Sequence, residues 1–256
     1  MPLFDAAFVI NLDERTDRLR SFEDNTKHLS FNIERFTAIP AIVGQNINGM
    51  GERCSACILS HCAIIRKAIK QRLKSVFILE DDAIPCDDLN DRLRYIEAHI
   101  PTDWEHIYLG GYDIDVNKLE PIRNSTFLYN SVRTGGAHAY ILRRRAYRKV
   151  LYELLLGYST LDGMFADLIE GMYPWDKKRR NLPFYQSIID ILRPVPKLKS
   201  YTFLPVCFAT DKESRSSIEP EGINTRDSHQ LFKRKCENLN IKTNGHSELQ
   251  PRFFIK

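Results

Sequence analysis

Apolar positions in the first half of the chain fall into short runs separated by longer amphipathic stretches. Residues 6–12 (AAFVINL), 33–39 (IERFTAI), 76–79 and 106–109 are short and rich in β-branched and aromatic side chains, the pattern of buried strands. Residues 14–29 are polar apart from Leu19, Phe22 and Leu29 and predict an exposed helix. Over 58–73, Ile58, Leu59, Ile64, Ile65, Ala68, Ile69 and Leu73 recur near a period of 3.6, predicting a deeply packed helix. A further helix is expected over about 88–99. Alternating β and α segments imply an α/β domain with a mixed, mostly parallel central sheet and helices on both faces.

The second half is less regular. Strands are expected at 126–132 and 137–142 around Gly135-Gly136, helices at 144–156 and 161–169, and extended chain at 184–192 and 201–208. From about Lys212 the chain turns polar. The organisation predicted is one domain over 1–211, with a polar extension over 212–256 that packs on it or trails from it.

Composition narrows the class only slightly. A hydrophobic share of 43% and a charged share of 27% are ordinary for a globular protein, and a net charge of +4 suits anionic small ligands without arguing for nucleic acid. The first residues lack a basic leader pattern and no apolar run approaches a membrane span, so the expected location is the cytoplasm. Six cysteines at uneven spacing do not suggest a disulfide framework. Cys54-x-x-Cys57 with His61 and Cys62 invites a zinc reading. No second ligand pair lies at finger-like spacing, and these are read as reduced structural thiols.

The densest chemistry follows the apolar run 76–79, where Glu80, Asp81 and Asp82 stand in succession. Ligands of open α/β sheets bind beyond the carboxyl ends of strands. Carboxylates there can hold Mg²⁺ or Mn²⁺, or simply face solvent in an acidic turn. If the backbone stays extended, Glu80 and Asp82 share one side and Asp81 takes the other. After the first strand, Asp13 could cap a helix whose Arg15 and Arg18 would meet a diphosphate; Arg–Asp pairing on an exposed helix is the alternative. Gly135-Gly136 marks a close backbone approach, and His138 and Tyr140 could line a sugar site or fill a core. Asp162 opens a helix and could serve as a general base or merely complement the helix dipole. The basic run 177–180 could touch a phosphorylated or lipid-linked acceptor, or form a solvated edge.

Taken in order, these pieces resemble glycosyltransferase family 25. Phe8-Val9-Ile10-Asn11-Leu12 with Arg15 and Asp17-Arg18, Cys57-Ile58-Leu59-Ser60-His61, Leu79-Glu80-Asp81-Asp82-Ala83, Asp103-Trp104 through Gly110, Gly136 through Ile141, and Leu161-Asp162 follow the family's sequence of motifs across roughly residues 6–217. Arg53-Cys54-Ser55-Ala56 departs from the family's glycine-containing stretch, which could alter donor preference, and 205–218 matches only loosely.

The resemblance implies a GT-A-type nucleotide-sugar-binding fold, a UDP-sugar donor (UDP-galactose most often), Mn²⁺ or Mg²⁺, and a glycan, lipid-linked or protein-linked sugar acceptor, with peripheral membrane contact possible. Implied metal ligands are Asp82 and Glu80, and Asp211 is a further candidate because it follows the last apolar strand. Implied donor contacts are Asn11, Arg15, Arg18, Ala38, Ser60, His61, Glu80, Asp81, Gly136 and His138. Inverting transfer needs a base, for which Asp162 is the candidate. A non-catalytic binding or adhesion protein of the same fold is the competing class. A nucleotidyltransferase is disfavoured because residues 11–18 contain no glycine.

Overall fold

The computed structural model describes residues 2–44, 50–112, 114, 116–123, 125–156, 159–171 and 197–210. The strands are β1 (Ala6–Asn11), β2 (Glu34–Thr37), β3 (Ser75–Glu80), β4 (Ala83–Pro85), β5 (His106–Tyr112), β6 (Glu120–Pro121), β7 (Leu128–Asn130), β8 (Gly135–Arg143), β9 (Ser200–Phe203) and β10 (Phe208–Thr210). The helices are α1 (Thr16–Thr26), α2 (Glu52–Lys70), α3 (Leu89–His99), α4 (Arg144–Leu156) and α5 (Leu161–Glu170).

The main sheet runs β2-β1-β3-β8-β5-β9-β7-β6. β1 is parallel to β2 and β3, and β5 to β9, while β8 and β7 run against their neighbours. The sheet is therefore mixed and mostly parallel, as the alternation of elements predicts. β10 pairs with β4 and, at Gly110, with β5.

Period-two alternation sorts the interior. Phe8, Ile10, Val76, Ile78, Tyr140 and Leu142 face α2, α4 and α5 through Ile58, Ile65, Val150 and Phe165. Ala7, Val9, Phe77, Leu79, Ala139 and Ile141 face α1 and α3 through Phe22, Leu93 and Ile96. Helices thus cover both faces, and the central strands read as unbroken apolar runs because neither face meets water. Each fully buried large side chain contributes about 1.5–3 kcal/mol. Among the described residues no helix is long and apolar enough to cross a membrane.

Several boundaries differ from the sequence reading. α2 begins at Glu52, six residues before the apolar run, so Cys54 and Cys57 lie inside it. α1 starts at Thr16 with Arg15 at its N-cap and no side-chain cap; Asp13 pairs with Arg35 of β2 instead of capping. The expected extended stretch 201–208 is two strands, because the chain turns at 204–207 and sends β10 across to β4 and β5. The extended segment 184–192, the basic run 177–180, Asp211 and the extension 212–256 lie outside the described residues.

Candidate functional site

β1 continues to β2 on one side, and the chain later returns through α2 to β3 on the other side of β1. That reversal places a topological switch point beside β1, where a crevice opens beyond the carboxyl ends of parallel strands. A cavity of about 420 Å³ occupies it. Its walls are the ends of β1 and β3, the start of α1, the loop 38–41 after β2, and one face of α2. Arg15, Arg18, Ala38, Ser60, His61, Glu80, Asp81 and Asp82 line it. Eight of the predicted site residues therefore converge across three strand ends and two helices.

The three carboxylates take three different environments. β3 ends at Glu80, and Asp81 and Asp82 sit in a turn, so the strand alternation does not extend past Glu80. Asp81 is clasped from the α1 side: Arg18 Nη1 donates to Oδ1 at 3.0 Å and Asn11 Nδ2 donates to Oδ2 at 2.8 Å. Burial raises the Asp81 proton affinity, and the Asn11 bond and Arg18 only partly offset it. Glu80 points the other way, its Oε1 lying 3.5 Å from His61 Nε2 on α2. Burial favours neutral Glu80, but His61, His138 and Arg18 outweigh it and hold this carboxyl below its ordinary value. Asp82 is pushed up to about 7, first by burial and then by the Glu80 charge. Its Oδ1 is buried with no hydrogen-bond partner among the described residues. The cavity thus holds one carboxyl kept below its ordinary value and one pushed above it.

Supporting contacts fix this frame. Asn11 Nδ2 also donates to the Arg15 carbonyl at 2.9 Å, and Asn11 Oδ1 accepts from Arg35 Nε at 3.1 Å. Asn11 is thus buried behind the cavity wall as a brace. Arg15 lies on the wall but pairs with Asp17, both partly exposed, so the Arg–Asp pairing weighed from the sequence is present for this residue. Ser60 Oγ accepts from the Ile39 amide at 2.8 Å and donates to the Ala56 carbonyl at 2.8 Å, tying the loop after β2 to α2.

Gly136, His138 and Asp162 are not part of the wall. His138 is buried against Gly110, where an added Cβ would lie 2.3 Å from its Nε2, which excludes any larger residue there. Gly136 has φ +71° beneath the Tyr112 ring, and its amide donates to Asp162 Oδ2 at 3.1 Å. Asp162 Oδ1 accepts from Thr160 Oγ1 at 2.6 Å and from the Gly163 amide at 2.9 Å. Burial, and to a lesser degree the Asp162 charge, raises the Cys54 and Cys57 thiols on α2.

Arg53 and Cys57, which the sequence reading names without assigning them a site role, also line the cavity. Cys57 precedes His61 by four residues, one helical turn, and that spacing was the available signal.

With this geometry in hand, comparison with known proteins assigns the family. The model for "Glycosyltransferase family 25 (LPS biosynthesis protein)" matches residues 4–158, more than half of the chain. No curated protein sequence matches. Solved structures with partial likeness include a Drosophila β-1,4-galactosyltransferase 7 mutant in complex with manganese, UDP-Gal and xylobiose (13% identity, 87% of this chain and 77% of that one, TM-score 0.41). A glycosyltransferase involved in glycosylation of the major capsid of PBCV-1 shares 8% identity over 78% of this chain and 93% of its own, with TM-score 0.34. Mannose-1-phosphate geranyltransferase from Thermus thermophilus shares 12% identity over 80% and 75%, with TM-score 0.37. The chain belongs to glycosyltransferase family 25 and is a glycosyltransferase with a mixed α/β fold.

Proposed function

We propose that this family 25 member transfers a hexose, galactose in the first instance, from a UDP-sugar to a hydroxyl of a glycan or glycoconjugate, with inversion and with a divalent cation, Mn²⁺ or Mg²⁺. The observation that carries the reading is the buried, unpartnered Oδ1 of Asp82 beside Glu80 in the switch-point cavity. An all-oxygen donor pair fits a hard divalent cation. Asp82 and Glu80 would hold that ion, with Asp211 a further candidate. When bound, it neutralises charge on the departing diphosphate.

The chain's own groups supply position and field. Arg18, anchored by Asp81, and Arg15 at the α1 start offer guanidinium groups to the diphosphate. Ala38, with no bulk, and the Ser60-tied loop leave room for the nucleoside on the β2 side. His61 faces Glu80 and orients it. Asp162 would accept the proton of the acceptor hydroxyl from the α5 side, held by donors from Gly136, Thr160 and Gly163. Gly136 and His138 then act from behind the wall, Gly136 by positioning Asp162 and His138 through its field on Glu80.

The test is hydrolysis of a panel of nucleotide sugars with and without Mn²⁺, which reports the donor without knowledge of the acceptor. Asp82→Ala should lower Mn²⁺-stimulated UDP release by about 10²-fold or more. Undiminished release in that variant would remove the proposal. Asp162→Asn should bind UDP as the parent does and lose transfer to acceptor; unaltered transfer would remove Asp162 as the base.

A further inference from the structure

We infer that Cys57, His61 and Glu80 form a second metal site, for a borderline ion of the Zn²⁺ or Co²⁺ kind, with its open side on the cavity. One ligand atom from each lies within 4.8 Å of the other two. Cys57 and His61 stand one turn apart on the same face of α2, and Glu80 meets them from the end of β3. Ligands about a tetrahedral zinc ion sit about 3.3–3.6 Å apart, given metal–ligand distances of about 2.0–2.3 Å. The His61 Nε2–Glu80 Oε1 separation of 3.5 Å already has that value. Closing the remaining gap asks for about an ångström of side-chain movement.

The second observation concerns His61 itself. The residue is 1% exposed, its Nε2 has no hydrogen-bond partner among the described residues, and it is aimed at the cluster. Its other ring nitrogen, Nδ1, lies 2.8 Å from the hydroxyl of the buried Tyr140, whose ring stacks on the imidazole at an interplanar angle of 14°. Metal-bound histidines are oriented by such a partner on the far nitrogen. All three residues also line the cavity, so a water or ligand oxygen can complete the coordination.

This site would share Glu80 with the one proposed at Asp82, and the sulfur of Cys57 and nitrogen of His61 distinguish it. Sulfur, nitrogen and one carboxylate oxygen select zinc-like ions, whereas Mg²⁺ needs oxygen throughout. The inference goes beyond the sugar-transfer reading and does not depend on it.

Chelator-treated full-length protein titrated with Co²⁺ should develop visible ligand-field bands and a near-ultraviolet thiolate-to-cobalt charge-transfer band, saturating at one equivalent and bleached by Zn²⁺. Cys57→Ser should lose the charge-transfer band and bind Co²⁺ about 10–100-fold more weakly. Asp82→Asn should keep the band, so failure of the nucleotide-sugar reading and failure of this one are distinguishable. No charge-transfer band in the parent protein, or the same band in Cys57→Ser, would overturn the site. Should Cys57→Ser not fold, the parent protein decides. Stoichiometric Zn²⁺, but not Mg²⁺, should slow iodoacetamide labelling of Cys57 read by peptide mass, and equal labelling with and without Zn²⁺ would overturn it.

Discussion

Asp82 concentrates the electrostatics of the site in one carboxyl group. Its proton affinity is raised to about 7 in the fold, from an ordinary value near 4 in the unfolded chain, because burial and the Glu80 charge disfavour the anion. A carboxyl shifted upward contributes stability that is full below its unfolded value and is lost as pH rises through the folded one. The metal-free protein should therefore lose stability between about pH 4 and pH 7 through this group. Asp82→Asn removes the titration. In thermal melts with chelator, that variant should match or trail the parent at pH 4 and melt above it at pH 8. A parent–variant difference independent of pH would contradict the assignment.

At the scale of elements, the Arg18–Asp81 pair joins α1 to the end of β3 with both side chains about nine-tenths buried. Removing one member of such a pair strands a charge and costs about 3–5 kcal/mol, although the intact pair stabilises little over an apolar substitute. Arg18→Met should fall in that range in denaturant titrations, and Arg18→Met with Asp81→Leu should recover most of the loss. If the double variant is no more stable than the single one, the stranded charge is not the cause. Elements like α2 and β3 were legible because their apolar positions repeat at helix or strand spacing over many residues. β4 and β10 were not legible, since three-residue strands have no period of their own and depend on pairing with each other and, for β10, with β5. The first turn of α2 carries Arg53, Cys54 and Ser55, which do not announce a helix, so apolar periodicity alone starts it at Ile58. The acids of the site were visible as charge ending a buried run. Their division into a clasped Asp81, a histidine-facing Glu80 and an unpartnered Asp82 depends on α1 and α2 flanking the same strand end, which local spacing does not encode.

Across the whole molecule, stability should grade from the middle of the sheet outward. β3, β8 and β5 are covered on both faces, whereas the β2 edge is largely exposed and β6 is a two-residue strand at the opposite edge. Amide exchange should be slowest in β3 and β8, approaching global opening, and faster by orders of magnitude in β2 and β6. Uniform protection across the sheet would show that the edges do not open separately. The cavity straddles this gradient, with a rigid acid wall on β3 and a looser wall after β2. Asn11 spans the two, since one amide group reaches Asp81, the Arg15 carbonyl and Arg35. Both of its outgoing bonds come from the nitrogen, so hydrolytic deamidation would trade a donor for an anion facing Asp81. One buried amide thus joins the acid wall to the edge of the sheet, and its loss would leave two carboxylates facing each other behind the cavity.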